Sequence, residues 1–270
     1  MSEPTAQQSP SAPFISHVME LKTRLIRAVL VWLVATVACY LYAEDIYRFL
    51  IAPLAEAFGP ESGRRLIATS LTETFVTYLK IAAYGGFFIG FPVIAAQVYL
   101  FVAPGLYKHE RGILAPYLIV APLLFMAGAA FVYYLVMPKA WQFFVSFEIP
   151  AGEGALPLVV EAKVSEYLAL VLQLVLAFGL SFQLPVLLTL LVRVGLLSTR
   201  ALARGRRYAV VILLTLAAFI TPPDILSQVL LFIPLYTLYE LSILIGKRTE
   251  KRRAAFEEPP FRWSWRGAVR

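Results

Sequence analysis

Two acidic residues, Glu20 and Glu110, lie in short segments of the chain that are otherwise basic, ELKTRLIR and YKHERG. Carboxylates kept among lysines and arginines are suited to bind a cationic partner, and arginine can engage a carboxylate through two parallel hydrogen bonds. Each acid also has local partners, because Arg24 follows Glu20 at the i,i+4 spacing of a helix and basic residues flank Glu110. A shared site therefore requires both acids to lie on the same side of the molecule.

The composition of the chain indicates a helical membrane protein. Of its 270 residues, 60% are hydrophobic and 15% are charged, with a mean hydropathy of +0.74. A soluble domain is about half apolar and about a quarter charged, and the long apolar runs do not alternate as the strands of a membrane barrel do. The net charge of +7 does not indicate nucleic-acid binding, because the basic residues cluster at the ends of the apolar runs, as topology signals do.

Five apolar runs are long enough to cross a bilayer as helices, which takes about 20 residues. They cover residues 26–43, 74–102, 113–137, 167–192 and 208–245. The segment TPPD breaks the last run in the middle, since proline removes a helix hydrogen bond and restricts the residue before it. The run is therefore predicted to form a hairpin of two helices, which makes six spans. At about 1.5 Å per residue, its first arm, 208–220, is too short to cross the whole hydrocarbon core.

The basic residues predict how the six spans are oriented. Of the 24 lysines and arginines, 18 fall on one side of the predicted topology, so that side and both termini are predicted to be cytoplasmic. The predicted organisation is a disordered cytoplasmic N-terminus over 1–13, a six-helix membrane domain over 14–246 and a basic cytoplasmic tail over 247–270. Residues 1–16 lack the apolar core of a cleavable signal peptide. In the first outer loop, APLAEAFGP predicts a short surface helix between prolines.

Catalytic motifs are missing from the sequence. It contains none of the common hydrolase, metalloprotease or nucleotide-binding signatures, and its single cysteine and two histidines cannot form a metal site alone. An intramembrane hydrolase would need a nucleophile with its base or a pair of aspartates, and the predicted spans suggest neither. We therefore expect no enzymatic activity and no bound cofactor.

Polar residues inside the predicted spans are further candidates, because an ionised group near the membrane centre costs about 2.5–3.5 kcal/mol. These residues are Lys80, Gln183, Asp224 and Glu240. Interhelical hydrogen bonds would satisfy them, and for Glu240 we favour this structural role. The functional alternatives are the docking of another transmembrane helix, or an ion path. A path formed by Lys80, Gln183 and Asp224 would indicate a proton-coupled small-molecule transporter.

Several segments in register with the six spans resemble the TatC family, the multispanning receptor subunit of the twin-arginine protein translocase. They are HVMELKTRL, FPVIAAQVYLFVAPGLYKHERG, FGLSFQLPV, RRYAVV and TPPDILSQVLLFIPLYTLYE. The resemblance implies that the chain binds signal peptides of folded proteins that carry consecutive arginines. It also implies a set of residues for this site: Glu20 and Glu110 as the arginine contacts, Phe101 as an aromatic neighbour, and Lys22 and Arg24 as the basic positions beside them.

The resemblance further implies a concave, kinked bundle in the bacterial cytoplasmic (inner) membrane that uses the protonmotive force. Single-span partner subunits, TatA- and TatB-like, are expected to dock through Gln183, Thr221 and Gln228. Gln183 departs from the family pattern, because many members carry a glutamate there. Pro53 matches an outer-loop proline, and Asp224 is expected to have a structural role. The other expected partners are further copies of the chain and the lipid bilayer.

Overall fold

The structure is a computed structural model that describes residues 12–59, 64–102, 115–149, 161–220 and 225–257. Within these residues the regular elements are helices, together with one isolated β-bridge. The helices are α1 (Ala12–Leu41), α2 (Ala43–Phe58), α3 (Leu71–Val102), α4 (Ala115–Phe131), α5 (Met137–Val145), α6 (Val164–Ser181), α7 (Leu184–Val194), α8 (Thr199–Arg204), α9 (Arg206–Ile220) and α10 (Ile225–Glu257). A π-helical turn, Val132–Val136, joins α4 to α5. The prediction of an all-α fold is confirmed.

Five helical stretches of the described chain are long and apolar enough to cross a membrane, which makes the chain a multi-pass membrane protein. They are Val18–Leu41, Leu71–Phe101, Pro116–Val145, Val164–Arg193 and Gln228–Lys251. The proposed additional span, α9, has 15 residues. At about 1.5 Å per residue it covers about 22 Å, against roughly 30 Å for the hydrocarbon core. The count of six spans and the cytoplasmic position of the termini stay predictions.

Three helices extend beyond the limits that the apolar runs suggested. Helix α1 begins at Ala12, inside the segment predicted to be disordered, and α10 continues past residue 246 to Glu257. Helix α2 begins at Ala43, well before the APLAEAFGP segment, and it encloses Pro53. These helices continue into polar sequence because their backbone hydrogen bonds do not require apolar side chains. Two acidic residues in the first turn of α2 also favour its early start by interacting with the helix dipole.

The chain divides into two compact units, Met1–Gly179 and Leu180–Arg270, here called the N-terminal unit and the C-terminal unit. The division falls inside the fourth candidate span. Helix α6 ends close to it at Ser181, and α7 begins at Leu184. Pro185, at the start of α7, explains the interruption, because proline cannot donate the hydrogen bond that would continue the preceding helix.

In the N-terminal unit, α1 and α3 form the most extensive helix pair of the described residues. Gly86 permits a close approach, because a Cβ atom there would lie 2.5 Å from the backbone nitrogen of Thr36. Gly90, four residues further along α3, lies against Trp32, four residues back along α1. The two helices are therefore antiparallel, with the small residues at their contact that membrane helices use for close packing. The Trp32 indole also donates a hydrogen bond to the carbonyl oxygen of Ala83 at 2.9 Å.

In the C-terminal unit, α10 packs against α7, α8 and α9. Its buried stripe includes Leu231, Leu235 and Ile243, which recur at the spacing of one helix face. Gly246 brings the last part of α10 close to α8, since a Cβ atom there would lie 2.8 Å from the methyl carbon of Thr199. This contact holds the short connection between α7 and α9 against α10.

Candidate functional site

Glu20 lies on α1 and pairs with Arg24, as the sequence spacing predicted. The Arg24 Nε atom donates a hydrogen bond to Glu20 Oε1 at 3.0 Å, and Nη2 of the same guanidinium contacts the same oxygen. The side chain of Glu20 keeps 34% of its surface exposed, whereas that of Arg24 keeps 19%. Among the described residues, nothing bonds to the second oxygen of Glu20. This carboxylate can therefore accept a further donor without losing Arg24, since an ionised carboxyl group offers about four acceptor positions.

Phe101 lies at the end of α3 that is level with Glu20. The register set by the contacts of Gly86 with Thr36 and of Gly90 with Trp32, continued along both helices, places Phe101 opposite Leu21. Phe101 is partly buried, and Lys22 is exposed on the same turn of α1 as Glu20. The structure thus brings one acid, the aromatic residue and the two basic positions to one end of the α1–α3 pair.

Glu110 lies outside the described residues, in the segment 103–114. The distance between its carboxyl group and that of Glu20 is therefore not defined by the structure. What is defined is the starting point of the segment. It leaves α3 after Val102, and the register of α1 and α3 puts Val102 opposite Glu20.

Gln183 occupies the interruption between α6 and α7, as the residue that precedes the first turn of α7. Its backbone carbonyl accepts a hydrogen bond from the amide of Leu187 at 2.9 Å, and its side-chain Oε1 atom is buried. Gln183 lies inside the fourth candidate span, Val164–Arg193, as the sequence predicted. Within that span it occupies the point where Pro185, two positions further on, interrupts the helix.

The hairpin of α9 and α10 is described on either side of its tip, while Thr221 and Asp224 lie outside the described residues. Gln228, in the first turn of α10, donates a hydrogen bond from Nε2 to the carbonyl oxygen of Leu214 at 3.2 Å. Gln228 therefore ties the two arms of the hairpin together. Its docking role stays a prediction.

An ion pair at the other end of the hairpin explains Glu240. Arg206, the first residue of α9, donates to both oxygens of Glu240 at 2.7 and 2.9 Å, and the Tyr236 hydroxyl donates to Oε1 at 3.0 Å. The hydrogen bond to Glu240 raises the pKa of the Arg206 guanidinium. A bidentate pair of this kind fixes both position and orientation. This agrees with the structural role favoured for Glu240, although the sequence did not identify its partner.

Pro53 is buried in the interior of α2. Because proline has no backbone N–H group, the carbonyl oxygen of Phe49 loses its helical partner. The Tyr133 hydroxyl donates a hydrogen bond to this oxygen at 2.6 Å, and the two aromatic rings stack with centroids 4.3 Å apart. The Tyr167 hydroxyl donates to the neighbouring carbonyl of Leu50 at 2.9 Å. Pro53 thus creates an acceptor by which α2 is held to the helices beneath it.

A second tertiary contact in the N-terminal unit, made by Glu73, was not predicted from the sequence. Glu73, in the first turn of α3, accepts hydrogen bonds from the backbone amides of Thr69 at 2.6 Å and Ser70 at 3.3 Å, and from that of Ser165 in α6 at 3.1 Å. The segment SLTE carries the signal of a capping box, a serine followed three residues later by a glutamate. The bond to Ser165 has no such signal, because it joins residues 92 positions apart.

The fold defines a class, the polytopic α-helical membrane proteins. A family model described as Sec-independent protein translocase protein (TatC) matches residues 16–234. The chain belongs to the TatC family. This family consists of translocase proteins, which confirms the prediction that the chain is not an enzyme and decides against the alternative of a small-molecule transporter.

Individual relatives and solved structures agree with this assignment. The chain is 47% identical over 240 residues to the Sec-independent protein translocase protein TatC of Rickettsia prowazekii, covering 89% of this chain and 94% of the relative. It is 36% identical to the protein of that description from Escherichia coli K12, covering 87% and 88%. A crystal structure described as the twin-arginine translocase receptor TatC superimposes with a TM-score of 0.75 at 36% identity, covering 87% of this chain and 99% of that one.

Proposed function

We propose that this chain is the receptor-type core subunit of a twin-arginine translocase in the bacterial cytoplasmic membrane, with both termini in the cytoplasm. It binds the twin-arginine signal peptides of folded proteins and organises partner subunits for export driven by the protonmotive force. Membership of the TatC family and the similarity to a structure described as a twin-arginine translocase receptor support this proposal.

The register of α1 and α3 is the observation that carries the proposal. Glu20 is partly exposed and lies level with the end of α3, where the segment that bears Glu110 begins. Two carboxylates contributed by these neighbouring segments would suit two consecutive arginines, with Phe101 packing beside the peptide. Each acid alone also has a basic partner nearby in the sequence, so the proposal depends on the two acids acting together.

The energetics explain why arginines are selected. An exposed ion pair contributes only about 0–1 kcal/mol, so the pairs must be bidentate and partly shielded from water, which the guanidinium fork allows and the lysine ammonium does not. Lys22 and Arg24 repel peptides that are merely basic and thereby add selectivity. Most of the remaining affinity then comes from burying the apolar part of the signal peptide, at about 25 cal/mol per Å².

Single-span partners, TatA- and TatB-like, dock in this proposal on the C-terminal unit. Gln183, Thr221 and Gln228 supply polar contacts there, and Asp224 has a structural role. The outer surface of the hairpin supports this role, because Phe219 near its tip is 81% exposed and Val229 is 43% exposed. Apolar side chains of this kind accept a transmembrane helix as readily as lipid. Further copies of the chain complete the assembly.

The acid pair can be tested with the purified full chain in lipid nanodiscs and a labelled twin-arginine signal peptide. Glu20→Ala and Glu110→Ala are each expected to weaken binding about tenfold, a loss of about 1.4 kcal/mol. Glu44→Ala is the matched control, because Glu44 forms a pair of the same spacing with Arg48 on α2. A peptide with two lysines should bind the original chain as weakly as the arginine peptide binds the variants. Unchanged binding in both Glu20→Ala and Glu110→Ala would overturn the proposal.

A further inference from the structure

The N-terminal unit contains an apolar cavity of about 410 Å³ at the corner where α1 ends and α2 begins. Cys39 and Leu50 lie at this corner, and α3, α4 and α6 complete the wall. Its buried lining includes Ile81 and Leu172, which are 0% and 6% exposed. The Tyr133 hydroxyl, one of the few polar groups of the lining, is already bonded to the carbonyl oxygen of Phe49. The cavity therefore favours an apolar ligand over water, which needs two to four polar partners.

The mouth of the cavity opens between apolar side chains that face away from the protein. Ile89 on α3, Met126 on α4 and Phe49 on α2 line it and are more than half exposed. Ile89 and Met126 belong to stretches that cross the membrane. The mouth therefore opens to the hydrocarbon of the bilayer, and what reaches it comes from there.

The dimensions of the cavity determine which apolar group of a membrane can enter it. Its lining runs from Ile81 to Ile89 on α3 and from Met126 to Tyr134 along α4 and the π-helical turn. Each stretch covers about 12 Å along the helix axes. A helix that spans the membrane is about 30 Å long, so the cavity is too short to hold one.

We propose that this cavity binds one acyl chain of a glycerophospholipid from the leaflet that borders α2. A polymethylene chain is roughly 4–5 Å wide at van der Waals contact, so part of one fits in a cavity of about 410 Å³ that extends about 12 Å along the helices. The cavity lies parallel to the helices that cross the membrane, as an acyl chain does. The bound chain fills the space under α2 and makes van der Waals contacts that the lining side chains would otherwise lack.

The test uses the purified full chain in vesicles of phosphatidylglycerol and phosphatidylethanolamine that contain a phospholipid with a diazirine midway along one acyl chain. After illumination, mass spectrometry locates the crosslinks. We expect them to concentrate at Met126–Tyr134 and at Cys39. Ala130→Phe, which fills the mouth, should reduce these crosslinks at least about fivefold. Ala127→Phe is the control, because Ala127 is another exposed alanine of α4 and does not line the cavity.

Cys39 provides an independent readout, because it is the only cysteine of the chain and lines the cavity. A thiol reagent on an alkyl chain, delivered from the bilayer, should label Cys39 several-fold faster than a water-soluble one. Ala130→Phe should slow this labelling while the thermal unfolding temperature stays within a few degrees of the original. Crosslinks spread evenly over the exposed face of α1, or equal in both alanine variants, would overturn the proposal. Displacement of the lipid crosslinks by an added signal peptide or single-span partner would also overturn it, by assigning the cavity to that ligand.

Discussion

Two glutamate–arginine pairs of the same spacing occupy different environments in the N-terminal unit. Glu20 and Arg24 lie on α1, with exposed side-chain fractions of 34% and 19%, while Glu44 and Arg48 on α2 keep 65% and 69%. Both pairs form the i,i+4 contact that their sequence spacing predicts. Spacing along a helix therefore determines which residues pair, whereas tertiary packing determines how far the pair is shielded from water. Of the two, the Glu20–Arg24 pair is the one level with the end of α3.

The largest effect is expected where α1 touches α3. In Gly86→Leu the new Cβ would lie 2.5 Å from the backbone of Thr36, which no side-chain rotation relieves. We expect a loss of about 3 kcal/mol of unfolding free energy, as for severe overpacking. The difference between the two pairs should then disappear, so that an arginine-modifying reagent labels Arg24 as fast as Arg48. Gly90→Ala is the control, because its nearest contacts are 3.4 Å or longer; equal stability of the two variants would contradict the prediction.

A smaller effect is expected where α2, which carries the second pair, is attached by Tyr133. Tyr133→Phe leaves the carbonyl oxygen of Phe49 without a donor and should cost about 1–1.5 kcal/mol in unfolding free energy. In a Pro53→Ala background the cost should fall below about 0.5 kcal/mol, because the alanine introduced there has an amide that can bond to that oxygen. The measurement is a double-mutant cycle by thermal unfolding in detergent. Tyr134→Phe, at a 70% exposed neighbour, should change little. Strict additivity of Tyr133→Phe and Pro53→Ala would count against this explanation of Pro53.

The smallest effects on the unfolding free energy are expected when the arginine of either pair is replaced. Arg24→Ala should lower the unfolding free energy by about 1 kcal/mol, because it removes packing of the side-chain stem as well as the ion pair. Arg48→Ala should cost about 0.3 kcal/mol, as for an exposed helix pair, and raised salt should abolish that cost. Chemical denaturation at low and high salt would measure both. Equal losses would show that the difference in exposure has no energetic consequence.

Five of the six predicted spans and the family were predictable from the sequence, and so was the pairing of Glu20 with Arg24. The start of α3 also carried a sequence signal, the capping box SLTE. The prediction did not use it, because it placed the start of the helix from the apolar run alone. The bond from Tyr133 to Phe49 was not predictable, because it joins residues 84 positions apart and depends on a carbonyl that Pro53 leaves free. The partner of Glu240 was not predictable for a similar reason. In the sequence, Arg206 is only one of several basic residues at the end of an apolar run.

The class of protein follows from the sequence alone, because the length and apolarity of a membrane span and the spacing of helical ion pairs are local properties. The family also follows from the sequence, through motifs that run in order along the chain. Three features could be seen only in the folded chain: the approach of α1 and α3 at Gly86, the position of Glu20 level with the end of α3, and the apolar cavity beside Cys39. These features depend on which surfaces meet when helices pack, and packing joins residues whose separation along the chain carries no periodic signal.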